Sequence, residues 1–448
     1  MISELNLQNP WWRHKNEIYN DRYVKEALSK KNQILYTFLK KNTILIGPRQ
    51  VGKTTFLKLF IKDLIEKKID PKNIFYFSCE PLDNKNDLIE LFNTIHELKQ
   101  EKRTYIFLDE VTLIENWEIA LKFFLETDLS KNKIILCTGS SAYFLKKGTE
   151  RLPGRNIDYE LFLPLSFKKY YNTFYKNIIS KKLKINNLES FYDKAKELAI
   201  ELSGLNNALI KYQKTGGFLK PIYENIESNE ISAQTYEIYL RWILGDLSKL
   251  NKSEKIFKSI IKGVIKIYSS SFSLNALAKE MNIPAHTTVS EYLDFLNTIL
   301  LLNNLYQVNP NSKTPVFRKN KKAYFKDPFY YSVFKGLTMG KFQDFSQNKS
   351  DILLEGVVCE ALSRIKQKSY DFSDFLWFFA KKKETDFCIN INKELIGIEL
   401  KWQNNIDIKD FNNKHVFKKR ILLSKNDLSF DKEFNFLTIP VSIFLMLI

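Results

Sequence analysis

Short apolar runs and amphipathic stretches take turns through residues 43–160. Thr43-Ile44-Leu45-Ile46, Ile74-Phe75-Tyr76-Phe77, Thr104-Tyr105-Ile106-Phe107-Leu108 and Lys133-Ile134-Ile135-Leu136-Cys137 are β-branched or aromatic runs of strand length. Between them, 56–67, 88–102 and 117–126 repeat apolar residues at helical spacing. Strands alternating with helices predict a parallel, doubly wound sheet. Uninterrupted apolar strands predict burial on both faces. From about Leu165 to Leu250 the spacing is helical, broken at Gly216-Gly217-Phe218. Residues 251–340 predict a helix over 256–267, a short one over 273–281 opened by Ser273, a break at Asn282-Ile283-Pro284, a longer helix over 288–302, and strands at 305–308 and 322–325. Helix, turn, helix and strand pair is the order of a winged helix. Residues 341–448 predict a helix near 353–366 followed by strands.

A chain of 448 residues exceeds one ordinary core, so two to four domains are expected. With 44% hydrophobic and 27% charged residues it has the make-up of a soluble globular protein. The formal net charge of +18 favours an anionic partner, nucleic acid first and an anionic membrane surface second. Because the lysines are spread along the whole chain, a solvated surface is the plain alternative. Cys79, Cys137, Cys359 and Cys388 form no CxxC pair and read as small buried hydrophobes in a reducing compartment. The histidines are scattered, which argues against imidazole metal sites. The start, MISELNLQNPWWRHKNE, lacks the form of a signal peptide, and the apolar tail 439–448 is too short to span a bilayer. The expectation is a cytoplasmic protein with no membrane span.

Gly47-Pro48-Arg49-Gln50-Val51-Gly52-Lys53-Thr54 fits G-x-x-x-x-G-K-[ST] between a strand and a helix, and Thr55 continues it. In that context the backbone amides and the helix N-terminus cradle phosphates. Lys53 is expected on the β and γ phosphates of ATP, and the Thr54 hydroxyl on Mg²⁺. The strand 104–108 runs into Asp109-Glu110. Asp109 is expected to hold the Mg²⁺ through water and Glu110 to polarise the attacking water. The next strand ends Thr138-Gly139-Ser140-Ser141. Thr138 and Ser140 are candidates to sense the γ-phosphate or hold the lytic water, with a structural turn as the alternative. In Arg151-Leu152-Pro153-Gly154-Arg155, either arginine, Arg155 included, is a candidate to stabilise transition-state charge. A loop fastener and a DNA contact are the alternatives.

GPRQVGKTT, YIFLDEV, ILCTGSSAYFL, RLPGR and LPLSF, in that order, with AYFKDPFYYSVF and ETDF…IELKW behind them and Asn9-Pro10-Trp11-Trp12 in front, resemble the prokaryotic AAA-type ATPases that carry a C-terminal domain of unknown function. The resemblance spans nearly the whole chain. It implies an α/β fold: a P-loop parallel-sheet AAA-type ATPase domain, a helical lid, a winged-helix domain and a C-terminal α/β domain of the PD-(D/E)xK, restriction-endonuclease-like kind. The boundaries are an N-terminal arm at 1–27, the ATPase domain at 28–164, the lid at 165–250, the winged helix at 251–340 and the last domain at 341–448. It also suggests a homo-oligomer.

Restriction-endonuclease-like folds use a helix acid, an Asp on one strand and Glu-x-Lys on the next. Glu355 is available on a helix, Asp386 on a strand, and Glu399 with Lys401 two apart on the following strand, hence on one face. The resemblance implies the same four positions. In such folds Asp386 and Glu399 bind Mg²⁺, and the metal with the lysine activates a water. A salt-bridged hairpin is the alternative. In the winged helix, Pro284 to Ser290 would open a recognition helix, and Lys313, Arg318, Lys319, Lys321 and Lys322 crowd the wing, where they would grip a DNA backbone unless the domain only packs against protein. Trp11 and Trp12 either close over the adenine or are core aromatics. The leading expectation is a Mg²⁺-dependent ATP hydrolase coupled to a DNA-binding module, with DNA cleavage as a further output. The alternative is a nucleotide-gated switch or assembly protein that contacts protein partners and has no nuclease activity.

Overall fold

Gly52 starts the first helix of the nucleotide fold earlier than apolar spacing alone predicts. Its φ of 98° is open to glycine, and the helix Lys53–Glu66 begins on the next residue. Likewise the helix expected from 88 begins at Lys85, where Asn84 and Asp87 cap each other. The structure is a computed structural model and describes residues 1–30, 41–98, 103–139, 156–175, 183–347, 349–366, 373–404 and 406–448. It divides into two compact units, Met1–Leu163 and Pro164–Ile448.

In Met1–Leu163 the strands are β1 (Asn42–Ile46), β2 (Ile74–Ser78), β3 (Thr104–Asp109), β4 (Lys133–Gly139) and β5 (Ile157–Leu161). They pair in the order β2-β3-β4-β1-β5, and every pair is parallel. β1 to β4 match the apolar runs. β5 does not: its Ile-Asp-Tyr-Glu-Leu alternation has no buried residue, as befits an edge strand, and it left no apolar run to read. At the opposite edge, β2 is closed by the N-terminal segment. The Asn9 side chain accepts from Tyr76 N at 2.6 Å and donates to Tyr76 O at 2.8 Å, imitating one residue of a neighbouring strand. Trp11 and Trp12 both donate their indole N–H to Ile74 O, at 3.1 and 2.9 Å. Trp11 is 1% exposed and packs in the core with Phe60, Tyr76 and Phe107. The two tryptophans are therefore edge and core residues at the start of β2.

In Pro164–Ile448, helices Phe167–Phe174, Leu188–Leu198, Leu202–Thr215, Leu219–Ser228 and Ala233–Lys249 come first. Helices Glu254–Lys266, Leu274–Glu280 and His286–Thr298 follow. The last of these ends before 302 because Leu300 turns to φ 64°, which frees Leu302 to open β6 (Leu302–Tyr306). Two short strands, β7 (Val308–Asn309) and β8 (Thr314–Pro315), pair with each other. β9 (Lys321–Phe325) pairs antiparallel with β6, and Phe272 adds a bridge to Lys321. Helix Phe329–Met339 had no counterpart in the expected elements. It follows Asp327, whose carboxylate accepts from Gly217 N at 2.8 Å and Phe329 N at 2.9 Å.

Helix Ser350–Ser363 leads into a mixed sheet of β10 (Leu376–Ala380), β11 (Glu384–Ile391), β12 (Glu394–Leu400), β13 (Lys419–Ser424), β14 (Ser429–Asp431) and β15 (Phe436–Pro440). The order is β10-β11-β12-β13-β15-β14, with β12-β13-β15 parallel and the outer pairs antiparallel. The apolar tail forms the helix Val441–Leu447, buried at every residue. Among the described residues no helix is long and apolar enough to cross a membrane.

Candidate active sites

Parallel pairing brings the ends of β1, β3 and β4 to one side of the first sheet. Leu45 is level with Thr138 and Ile46 with Gly139. Gly47 starts the phosphate loop there, where a Cβ would meet Phe162 O at 2.0 Å. Gln50 and Gly52 take positive φ, 62° and 98°, so the loop curls back on itself before the helix starts. Pro48 and Val51 are buried, Arg49, Thr54 and Thr55 half-buried, and Gln50 exposed.

Asp109 is the hub of this side. The Thr54 hydroxyl donates to its Oδ2 at 2.7 Å and the Tyr76 hydroxyl donates to the same oxygen at 3.1 Å. The Thr138 hydroxyl donates to Oδ1 at 2.5 Å and accepts from Glu110 N at 2.9 Å. Thr138 is fully buried, so its hydroxyl is committed to fixing the two acidic residues. Burial, and then the neighbouring Asp109 charge, push the Tyr76 phenol well above its ordinary range, which keeps it a donor. Glu110 sits at φ 56°, an uncommon conformation for its type, and its Oε2 is buried with no hydrogen-bond partner. Lys53 Nζ donates to Gly47 O at 3.0 Å and Pro48 O at 3.1 Å and lies 3.7 Å from Glu110 Oε1. A hydroxyl beside a carboxylate, with a second carboxylate oxygen left unpaired, is a donor set that fits a hydrated Mg²⁺. Ser140, Ser141, Arg151 and Arg155 lie outside the described residues. Tyr76 was missed; its hydroxyl lies on an apolar strand one pairing away from Asp109, and nothing in a strand run marks it.

The second unit gathers the C-terminal acids. Glu355 comes from helix Ser350–Ser363, Asp386 from β11, and Glu399 from β12. The β11–β12 ladder runs to Phe387 opposite Ile398, and beyond it Asp386 Oδ2 accepts from Leu400 N at 3.0 Å. Lys401 Nζ is 3.1 Å from Glu399 Oε1, which also accepts from Asn412 at 3.0 Å. Glu399 Oε2 is buried without a partner.

Two residues join this set that the sequence reading put elsewhere or passed over. Glu384, two before Asp386 on β11, points to the same cluster. Lys322, expected on a DNA-gripping wing, lies inside it at 1% exposure, 2.6 Å from Glu384, 3.2 Å from Asp386 and 3.5 Å from Glu355. Tyr324, two along the same strand, donates to Glu355 Oε2 at 2.6 Å. The strand alternation that sends Lys322 and Tyr324 to one face was the available signal. Other residues expected on the wing are also engaged: Lys321 donates to Phe317 O at 2.8 Å and Lys313 to Lys393 O, while Arg318 and Lys319 are exposed.

Burial, then the Asp386 charge, push Glu355 and Glu399 above the usual carboxylate range; Lys322 and Lys401 pull the other way. Burial disfavours charge on Lys322, but Asp386, Glu355 and Glu384 outweigh it and hold the ammonium protonated. With that ammonium among the carboxylates, a divalent ion does not fit between the same oxygens. Among the described residues, no group of three or more His, Cys, Asp or Glu is arranged to hold a metal ion.

Residues 39–171 match the family model described as an AAA domain, and residues 206–340 match that of a domain of unknown function (DUF8612). No curated protein matches the chain. Among solved structures, the chain is similar to the Walker-type ATPase PABY2304 of Pyrococcus abyssi, at 15% identity and TM-score 0.41, over 72% of this chain and 95% of that one. It is also similar to the Thermotoga maritima RuvB Holliday junction branch migration motor, at 16% and 0.23 over 67% and 88%. A third is the Aeropyrum pernix ORC1 protein in complex with DNA, at 10% and 0.32 over 73% and 92%. Met1–Leu163 has a parallel-sheet P-loop ATPase fold.

Proposed function

We propose that this chain, whose residues 39–171 match the AAA domain, hydrolyses ATP and uses turnover to drive or gate a C-terminal module that binds nucleic acid, DNA first. The observation that carries the ATPase reading is the shared hydrogen bonding of Thr54, Thr138 and Tyr76 on Asp109 beside Lys53 and Glu110. In this reading Lys53 leaves the Gly47 and Pro48 carbonyls for the β and γ phosphates, because a phosphate oxygen is the stronger acceptor. Thr54 and Asp109 would hold Mg²⁺, which would neutralise phosphate charge. Glu110, its free carboxylate oxygen already buried, orients the attacking water and takes its proton. Thr138 holds Asp109 and the Glu110 backbone in place. Arg155 remains the proposed transition-state cation.

The further organisation belongs to the same proposal: a helical lid at 165–250, a winged helix at 251–340, and a restriction-endonuclease-like core at 341–448 that uses Glu355, Asp386, Glu399 and Lys401. The DNA reading rests on the net charge of +18, on exposed His286 and Thr287 at the start of helix His286–Thr298, and on exposed Arg318 and Lys319. Lys322 stands among the C-terminal acids, so the proposed output of this module is binding and not cleavage. ATP hydrolysis measured with and without DNA is the test. Turnover lost in Lys53→Ala and stimulated by DNA supports the proposal; turnover indifferent to Lys53→Ala ends it.

A second reading, a nucleotide-gated switch that contacts protein, is favoured by one observation. Glu291 and Asp294 are exposed on helix His286–Thr298, where they would repel phosphates, while Lys313, Lys321 and Lys322 are engaged internally. DNA affinity that falls steeply with salt supports the first reading, and no DNA binding at low salt supports the second.

A further inference from the structure

β9 carries Lys322 into the acidic cluster from a strand that is buried at all of its residues. The Nζ has three carboxylate oxygens around it, from Glu384 at 2.6 Å, Asp386 at 3.2 Å and Glu355 at 3.5 Å. These come from a helix and a strand, Ser350–Ser363 and β11, so the ammonium is the point where the three elements meet. A divalent ion coordinated by the same oxygens needs them at roughly 2.0–2.6 Å. It would then lie within the contact distance of a like-charged ammonium. The two cations are mutually exclusive.

Nor is Lys322 poised to swing out. β9 pairs with β6 from Lys321 opposite Tyr306 to Phe325 opposite Leu302. On the same face Tyr324 donates to Glu355, and Phe325 N donates to the Tyr268 hydroxyl at 3.2 Å. Just past β6, the Gln307 side chain donates to Ala380 O of β10 at 2.5 Å, and Gln307 forms a backbone bridge to Phe378. The hairpin that delivers the lysine is fastened to the sheet that delivers the acids.

We infer that Lys322 is a built-in counterion that fills the divalent-cation seat between Glu355, Glu384 and Asp386, so that the C-terminal module is metal-free as folded and opens to a divalent ion only when this lysine is removed. Glu355 and Asp386 belong to the restriction-endonuclease-like set proposed above, on which the identification of the seat rests, and Glu384 joins them through Lys322.

The test is a titration of nucleotide-free full-length chain with Mn²⁺, following free Mn²⁺ by electron paramagnetic resonance. All chains carry Asp109→Asn, which silences the seat in the first unit. The chain with Lys322 intact is expected to show no saturable Mn²⁺, and adding Asp386→Asn to change nothing. Lys322→Met is expected to bind one Mn²⁺ at least about tenfold more tightly than its parent, and to lose it when Asp386→Asn is added. The inference is overturned if the parent binds an Mn²⁺ that Asp386→Asn abolishes, or if Lys322→Met gains nothing. If Lys322→Met melts in metal-free buffer, its melting curve takes the place of the titration. Restoration by Mn²⁺, and not by NaCl of equal ionic strength, supports the inference; no restoration overturns it. ATP hydrolysis and DNA binding of the unmodified chain are separate readouts, so failure of the proposed function is told apart from failure here.

Discussion

Thr138 and Asp109 lie on different strands, and their side chains are joined by a hydrogen bond of 2.5 Å while the same threonine oxygen accepts the Glu110 N–H. Thr138→Val keeps the shape and removes both bonds. It leaves a buried carboxylate oxygen and a half-buried N–H without partners, a cost of about 1–3 kcal/mol for the first and less for the second. ATP turnover is expected to fall roughly 100-fold, because the acidic pair loses its fixed position, with nucleotide affinity changed far less. Single-turnover hydrolysis beside a nucleotide-binding titration separates the two effects.

Glu110→Gln preserves size and removes the proposed base. The expectation is ATP bound with near-normal affinity and hydrolysis slowed by about 10²–10⁴-fold. Equilibrium binding of a fluorescent ATP analogue and phosphate release measured on the same preparation check it.

Gly216 has φ 60°, and a Cβ there would come 1.7 Å from Asp327 Oδ1. Gly216→Ala is expected to destabilise Pro164–Ile448 by at least about 2–3 kcal/mol, since backbone and contact both oppose the methyl group. The urea midpoint of unfolding reports it, and the same substitution is expected to cost less in an Asp327→Ala background, where the contact is gone.

Burial pushes the Asp327 carboxyl up to about 7, against the pull of the Gly217 and Phe329 N–H donors. The folded chain therefore holds a proton that the unfolded chain releases from about pH 4. The site's contribution is greatest below that pH and is lost as pH rises through about 7, a fall of roughly 4 kcal/mol by linkage. Stability of the parent minus that of Asp327→Asn, followed by urea unfolding from pH 4 to 8, is expected to decline across this window. A flat difference contradicts it.

Asn9→Ala removes the side chain that satisfies both Tyr76 N and Tyr76 O on the edge strand β2. The expected loss is about 2–4 kcal/mol, with a greater tendency to aggregate because the edge is left open. Thermal unfolding with light scattering on the same sample measures both.

The alternation of strand runs and helices, the phosphate loop and the Asp109-Glu110 pair were legible in the sequence, because each is written in consecutive residues with a fixed period or spacing. What was illegible depends on contacts between distant segments. β5 is an edge strand and needs no apolar run. Tyr76 is one tyrosine in an apolar stretch until β2 pairs with β3. Of the C-terminal set, Glu399 and Lys401 were read from two-residue alternation on one strand and Asp386 from its place on the strand before, while Glu355 was read from a helix and Glu384 was passed over. Lys322 was misread as a residue free to grip a DNA backbone because its partners lie 33 to 64 positions away, and a lysine beside other lysines looks like a solvated patch.

Tyr76 has a double attachment that ties the outermost part of the first unit to its innermost. Its peptide group receives Asn9, while its phenol rests on Asp109. Whatever peels the leading dozen residues away from β2 also slackens the tyrosine that steadies the Asp109 carboxylate. A protease nick or a truncation near Asn9 would be felt at the phosphate end of the sheet as a looser grip on the nucleotide.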